Sequence, residues 1–149
     1  MYSVPYSCVY SYYLINIEDE NLEDAFFALV HTAWLCDDSD DEQIAKHCRA
    51  RAIITANKLI ADKSIDRDDI EDIYLIKMDL MRRCGYFDEL INEYAYFHFS
   101  IEKWEDIRRF QIEKAQEENT KRYNTDNVID YYHPGKRKKS IYELYYENK

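Results

Sequence analysis

Residues 74–97 read YLIKMDLMRRCGYFDELINEYAYF, and this stretch decides the fold. An apolar helical pattern ends at Cys84, Gly85 interrupts it, and a second helical pattern begins within two residues. Gly85 is one of only two glycines in the chain. Glycine readily takes the left-handed backbone conformation that often ends a helix. The stretch therefore predicts two antiparallel helices joined by a tight turn, with a positive φ at Gly85.

The composition of the whole chain favours the same kind of structure. Its 149 residues are enough for one domain with a single core, and 46% of them are hydrophobic. Two glycines and two prolines are too few for a turn-rich β-sandwich or β-barrel. The fifteen tyrosines fit either a core that uses tyrosine in place of phenylalanine or an amphipathic surface. We therefore expect one all-α domain.

Helical periodicity predicts three more helices besides the two that this turn joins. The expected helices are residues 22–36 with Asn21 as N-cap, 41–62, about 66–84, 87–99, and about 101–119 with Ser100 as N-cap. The first four form two antiparallel hairpins, and the fifth caps them. The centres of their apolar stripes should share one core: Leu29, Ile44, Cys48, Ile73, Leu80, Leu90 and Trp104.

Both ends of the chain lack a helical period. Residues 1–20 predict an extended segment packed on the helices, with a short hairpin as the alternative. Residues 124–127 are turn-like, and residues 128–149 predict an irregular, basic and aromatic tail, which His133-Pro134-Gly135 interrupts. We therefore divide the chain into a helical domain, residues 1–127, and a tail, residues 128–149. The basic run 136–139 is either a solvated tail or a strap on the acidic half of a chain.

Charge and hydropathy exclude several classes of partner. The formal charge is −10, and residues 1–75 carry all of it, with six Lys or Arg against sixteen Asp or Glu. This acidity argues against binding to nucleic acid. No apolar run reaches the roughly 20 residues that a membrane span needs, and no signal peptide is recognisable. We expect a cytoplasmic protein with reduced thiols.

The residues that usually carry chemistry have no workable spacing. Cys8, Cys36, Cys48 and Cys84 lie far apart without a CxxC motif, and the adjacent His47 and Cys48 point about 100° apart on a helix. The acidic run 37–41, which we expect to end the first helix and to cap the second, lacks the glycine and terminal glutamate of a calcium loop. No glycine-rich phosphate loop is present. The sequence therefore assigns no catalytic residue, no cofactor-binding residue and no metal ligand.

Part of the chain resembles the tetratricopeptide repeat. Tyr74, Gly85, Phe87 and Tyr94 have the spacing of the aromatic, glycine, aromatic and aromatic positions of that repeat. Leu90 stands where the repeat usually has alanine, and no proline closes the unit. The resemblance covers one unit of about 34 residues, whereas three or more usually make a stable stack. It implies a helical repeat that presents a binding surface.

A wider resemblance is to the helical half of certain uncharacterised bacterial proteins. In these, a helix with an Ala-Trp pair precedes a turn like Met81–Glu89, and here Ala33-Trp34 supplies the pair. Such proteins often begin with paired CxxC zinc motifs, which Cys8 alone cannot supply. This resemblance implies no activity.

Two function classes follow from these observations. The first is a protein-interaction or scaffold module that holds a peptide or protein partner on a helix-lined surface. The alternative is a small enzyme or regulatory factor with a site built from Tyr, His and Cys. A groove without a buried titratable pair would favour the first, and a deep pocket with His or Cys bonded to a carboxylate would favour the second. A homo-oligomer would also cover exposed helix faces.

Overall fold

The computed structural model describes residues 21–62, 65–135 and Tyr145. These residues form helices and connections without a β-strand, which confirms the prediction of an all-α fold. None of the described helices is long and apolar enough to cross a membrane. The helices are α1 (Leu22–Asp38), α2 (Glu42–Ala61), α3 (Arg67–Arg83), α4 (Phe87–Tyr94), α5 (Glu102–Gln116) and α6 (Thr125–Tyr132).

The helices pack in a chain of neighbours around one core. Helix α2 packs against both α1 and α3, α3 packs against α4 and α5, and α5 packs against α4 and α6. The predicted core residues Leu29, Cys48, Ile73, Leu80 and Leu90 are buried in a single cluster. Ile44 and Trp104 are partly buried and pack against this cluster. The predicted phases of the apolar stripes are therefore confirmed.

The caps explain where the first two helices begin. The side chain of Asn21 accepts a hydrogen bond from the Asp24 backbone N–H, and Asp41 accepts one from the Ile44 N–H. Each bond satisfies one of the N–H groups that an N-terminus leaves free. Asn21 was predicted as the N-cap of α1, and the acidic run was predicted to cap α2.

The turn after α3 has the geometry that the glycine predicts. Gly85 has a φ of +83°. Its N–H donates to the Arg82 carbonyl over 3.0 Å, and the Tyr86 N–H donates to the Met81 carbonyl over 2.9 Å. These two bonds define a Schellman motif, in which the left-handed residue lets the chain turn back after the helix. The predicted positive φ is confirmed.

Helix α4 is shorter than predicted and ends at Tyr94 instead of residue 99. Tertiary contacts end it. The Arg108 guanidinium donates to the carbonyls of Tyr94 and Ala95 over 3.1 and 3.2 Å. The Glu105 carboxylate accepts a hydrogen bond from the Phe99 N–H. These partners replace the helical bonds that a continuing helix would have made, so α5 decides where α4 stops.

Two further boundaries differ from the prediction. Ser100 does not cap α5, because Ile101 takes that position without a side-chain bond. Residues 125–132, expected as a turn followed by an irregular tail, form α6. Its start is a capping box in which the side chains of Asn124 and Asn127 each accept the other's backbone N–H. The division proposed at residue 127 therefore falls inside a helix. The expectations for residues 1–20 and 136–139 lie outside the described residues.

Candidate functional site

An open groove runs between the odd-numbered helices α1, α3 and α5. Its volume is about 600 Å³, which lies within the range of small-ligand and peptide-anchor sites. Most of the apolar lining comes from these three helices: Phe27 and Trp34 of α1, Leu75 and Ile76 of α3, and Trp104 and Ile107 of α5. Helix α6 and the connection before it complete the groove with Tyr123 and Val128.

Helical spacing puts these side chains in the groove. Phe27 and Trp34 are seven residues apart, which is two helical turns, so they share one face of α1. The residues of α1 that are buried in the core form a different stripe, which includes Phe26, Leu29 and Val30. Because α1 uses this second stripe for packing, Trp34 keeps 42% of its surface exposed. An exposed tryptophan beside other apolar side chains is unusual on a surface that binds nothing.

A buried polar network closes the groove behind α3 and α5. Arg82 is fully buried and donates to Gln111, to Asp79 and to the backbone carbonyls of Asn119 and Lys121. Burial lowers the pKa of the Arg82 guanidinium from its ordinary value, and the charge of Asp79 opposes this change. The network fixes the connection between α5 and α6 against α3.

Ion pairs hold the C-terminal ends of α1 and α3 together. Asp37, whose side chain is only 5% exposed, bonds to Arg49 of α2 over 3.0 Å and to Arg83 of α3 over 2.6 Å. The neighbouring Asp38 pairs with Arg122 over 2.9 Å. The acidic run 37–41 was predicted to stop α1 and cap α2. The structure adds that its first residue ties three helices together at one end of the groove.

A second, smaller cleft of about 380 Å³ lies between α5 and α6. His133, the residue that follows α6, places Nε2 2.8 Å from Oδ2 of Asp106 on α5. The other oxygen of Asp106 faces the Arg109 guanidinium over 3.5 Å. Glu102 also lines the cleft, one helical turn before Asp106. Sequence reasoning missed this group because His133 is 27 residues from Asp106 along the chain.

The cysteines take no part in either cleft. Cys36 and Cys48 are buried, Cys84 is partly buried, and all three are free thiols. Burial raises the pKa of each, and that of Cys48 reaches about 11. Protonated thiols are poor nucleophiles and poor metal ligands. This supports their prediction as packed side chains.

The other histidines give no second cluster of this kind. His31 and His47 are exposed on α1 and α2. His98 is 78% exposed and lies 3.7 Å from Glu105. Within the described ranges, the cleft between α5 and α6 is the one place where three His, Cys, Asp or Glu side chains converge.

Comparisons of the chain with protein-family models, with curated proteins and with solved structures gave no match. The tetratricopeptide resemblance therefore stays a prediction, and the geometry of the two clefts is the basis for assigning a function.

Proposed function

We propose that the protein is an interaction module that binds a peptide segment of a partner protein in the groove between α1, α3 and α5. The observation that carries this proposal is the exposed apolar lining, above all Trp34 at 42% exposure. Tryptophan is enriched among the residues that dominate binding energy, because it buries a large surface at a small entropic cost. A large apolar anchor of the peptide would pack between Trp34 and Trp104.

The charge of the groove sets the second feature of the peptide. Asp72 lines the groove, is exposed and has no bonded partner among the described residues. The chain as a whole carries a net charge of −10. Asp79 and Arg122 also line the groove, but both are held in ion pairs. Lys103 lines it as well, so the acidic contribution comes from Asp72 and from the field of the whole chain. We therefore expect a basic residue beside the apolar anchor of the peptide.

The arrangement of helices supports a repeat. Helices α1, α3 and α5 all line the same groove, and each ends in a Schellman motif with a left-handed residue: Asp40, Gly85 and Glu118. A helix, a similar turn and a second helix thus recur along the chain. On this proposal the protein is a short helical repeat whose odd-numbered helices form most of the binding face, and α6 completes it. The free thiols suit the cytoplasmic setting predicted from the sequence.

Selection of a phage-displayed library of random peptides on the immobilised protein tests the proposal. We expect enriched peptides that share a large apolar residue next to Lys or Arg. Trp34→Ala should weaken their binding about tenfold or more, as expected for a central aromatic anchor. Asp72→Lys should weaken the same peptides by removing the complementary charge.

Tyr96→Ala is the matched control, because Tyr96 is an aromatic residue with 92% exposure that does not line the groove. It should leave peptide binding unchanged. The proposal is wrong if no motif is enriched, or if Tyr96→Ala weakens binding as much as Trp34→Ala does. A dimer in sedimentation experiments that Trp34→Ala dissociates would also contradict it, because a second copy would then occupy the groove.

The alternative of an enzyme has one observation in its favour, which is the His133–Asp106 pair in the smaller cleft. A carboxylate that orients a histidine is part of many nucleophilic sites. Among the described residues that line the cleft there is no Cys or Ser, and the one hydroxyl belongs to Thr125. Without an activated nucleophile the pair lacks the third member of such a site, so we favour the interaction module.

A further inference from the structure

Three side chains that could bind a cation meet in the cleft between α5 and α6. Their ligand atoms, one each from Glu102, Asp106 and His133, all lie within 4.8 Å of one another. The two carboxylates are four residues apart on α5, so they project from one face of the helix. His133 follows the last residue of α6, and its backbone N–H donates to the Ile129 carbonyl over 2.7 Å. Two helices thus supply one converging set.

We propose that Glu102, Asp106 and His133 bind a divalent first-row transition-metal cation, of which Zn²⁺ is the best candidate. Imidazole nitrogens and carboxylate oxygens both bind zinc, and three protein ligands with an open fourth position are the arrangement of catalytic zinc sites. The imidazole argues against Mg²⁺ and Ca²⁺, which prefer sites made of oxygen ligands only. The proposal goes beyond the peptide groove and does not depend on it. It also departs from the prediction of no metal, which considered only spacing along the chain.

The distances leave room for a cation after small movements. In a tetrahedral site with bonds of about 2.0–2.1 Å, neighbouring ligand atoms lie about 3.3 Å apart. Asp106 and His133, now 2.8 Å apart, would separate slightly as the cation replaced their hydrogen bond. The exposed Glu102 side chain would swing inward, and no ion pair or hydrogen bond to the described residues holds it back. Arg109 would keep its contact with the other Asp106 oxygen.

Glu102 distinguishes a cation site from a structural contact. A hydrogen bond between His133 and Asp106 would be enough to pin α6 against α5. That role needs nothing from Glu102, which bonds to neither residue. A cation site needs all three, because two ligands alone give weak binding. The two interpretations therefore predict different results for a change at Glu102.

Calorimetric titration of the full chain with Zn²⁺, compared with the Glu102→Gln and His133→Ala variants, tests the proposal. We expect one Zn²⁺ per chain in the wild type. Each variant should bind at least about tenfold more weakly, since loss of even an outer-sphere partner costs about 10–100-fold. Without the cation, Glu102→Gln should leave the unfolding temperature unchanged, whereas His133→Ala should lower it. At the same Zn²⁺ concentration, the unfolding temperature should rise more for the wild type than for either variant.

The matched control is His98→Ala, because His98 also faces a carboxylate, that of Glu105, but forms no three-residue group of this kind with the described part of the chain. It should leave Zn²⁺ binding unchanged. Titration with Co²⁺ tests the ligand type, since thiolate ligands give an intense charge-transfer band that nitrogen and oxygen ligands lack. The proposal is wrong if the wild type binds no Zn²⁺, if Glu102→Gln binds it as the wild type does, or if the thiolate band appears.

Discussion

The turns after α1 and after α3 have the same hydrogen bonds but different residues at their centres. After α3, Gly85 takes the left-handed conformation, and the Tyr86 N–H donates to the Met81 carbonyl over 2.9 Å. After α1, Asp40 takes it with a φ of +56°, and the Asp41 N–H donates to the Cys36 carbonyl over 2.9 Å. Glycine pays no steric cost for this conformation, whereas aspartate does.

The difference shows that packing can impose a turn that the local sequence only tolerates. The turn at Gly85 is evident from the sequence, since glycine suits it. The turn at Asp40 is held from outside, because Asp37 just before it bonds to Arg49 and Arg83. The third such turn, after α5, has Glu118 with a φ of +54° at the same position. Four substitutions test how far each turn depends on its own residue.

Asp37→Ala should have the largest effect, because it removes the carboxylate that ties the first turn to α2 and α3. We expect a loss of about 3–5 kcal/mol in the free energy of unfolding, as found when one partner of a buried ion pair is removed. Arg83 would be left largely buried without its carboxylate, since its side chain is 11% exposed. Urea denaturation followed by circular dichroism measures the loss.

Asp38→Ala is the control, because Asp38 forms a similar pair with Arg122 at the surface, where the two side chains are 65% and 53% exposed. An exposed pair contributes about 0–1 kcal/mol. Equal losses for Asp37→Ala and Asp38→Ala would show that the buried ion pairs do not hold the first turn.

Gly85→Ala should destabilise the protein by about 1 kcal/mol, because a Cβ disfavours the left-handed conformation. No atom lies within 4 Å of the position that the added Cβ would take, so the cost is conformational and not a clash. The shift of the urea midpoint measures it. Unchanged stability would mean that the second turn, like the first, is imposed by packing.

Glu118→Gly should change stability in the opposite direction, by about 0.5–1 kcal/mol. Glutamate in the left-handed conformation carries the strain that glycine avoids, and the gain is reduced because glycine has more freedom in the unfolded chain. The shift of the urea midpoint measures this gain as well. A loss of stability would indicate that the Glu118 side chain contributes to the folded state in some other way.

Asp40→Gly should give the smallest change, a gain of about 0.5 kcal/mol or less. Aspartate tolerates the left-handed conformation better than glutamate does, so less strain is relieved. Thermal unfolding of the Asp40→Gly and Glu118→Gly variants should rank the two gains. A larger gain at Asp40 would mean that the tethered turn is the more strained one.

The sequence alone could not have predicted the two clefts. Trp104 was predicted as a core residue and Trp34 was noted only in the Ala33-Trp34 pair, and their shared groove depends on how α1, α3 and α5 are arranged around α2 and α4. Likewise, His133 was predicted to lie in an irregular tail, whereas α6 brings it to Asp106. In both cases the residues are far apart in the chain, and periodicity carries no information about such distances.

The sequence by itself determined the all-α class, the five helices on which the core is built, the turn at Gly85 and most of the buried residues. These features depend on local backbone preference and on the 3.6-residue period, both of which can be read over a few turns of chain. Only the tertiary structure decided the end of α4, the packing of α6 against α5, and the convergence of Glu102, Asp106 and His133. Each of these needs a partner from another helix to satisfy a backbone group or position a side chain, so none is encoded within its own segment.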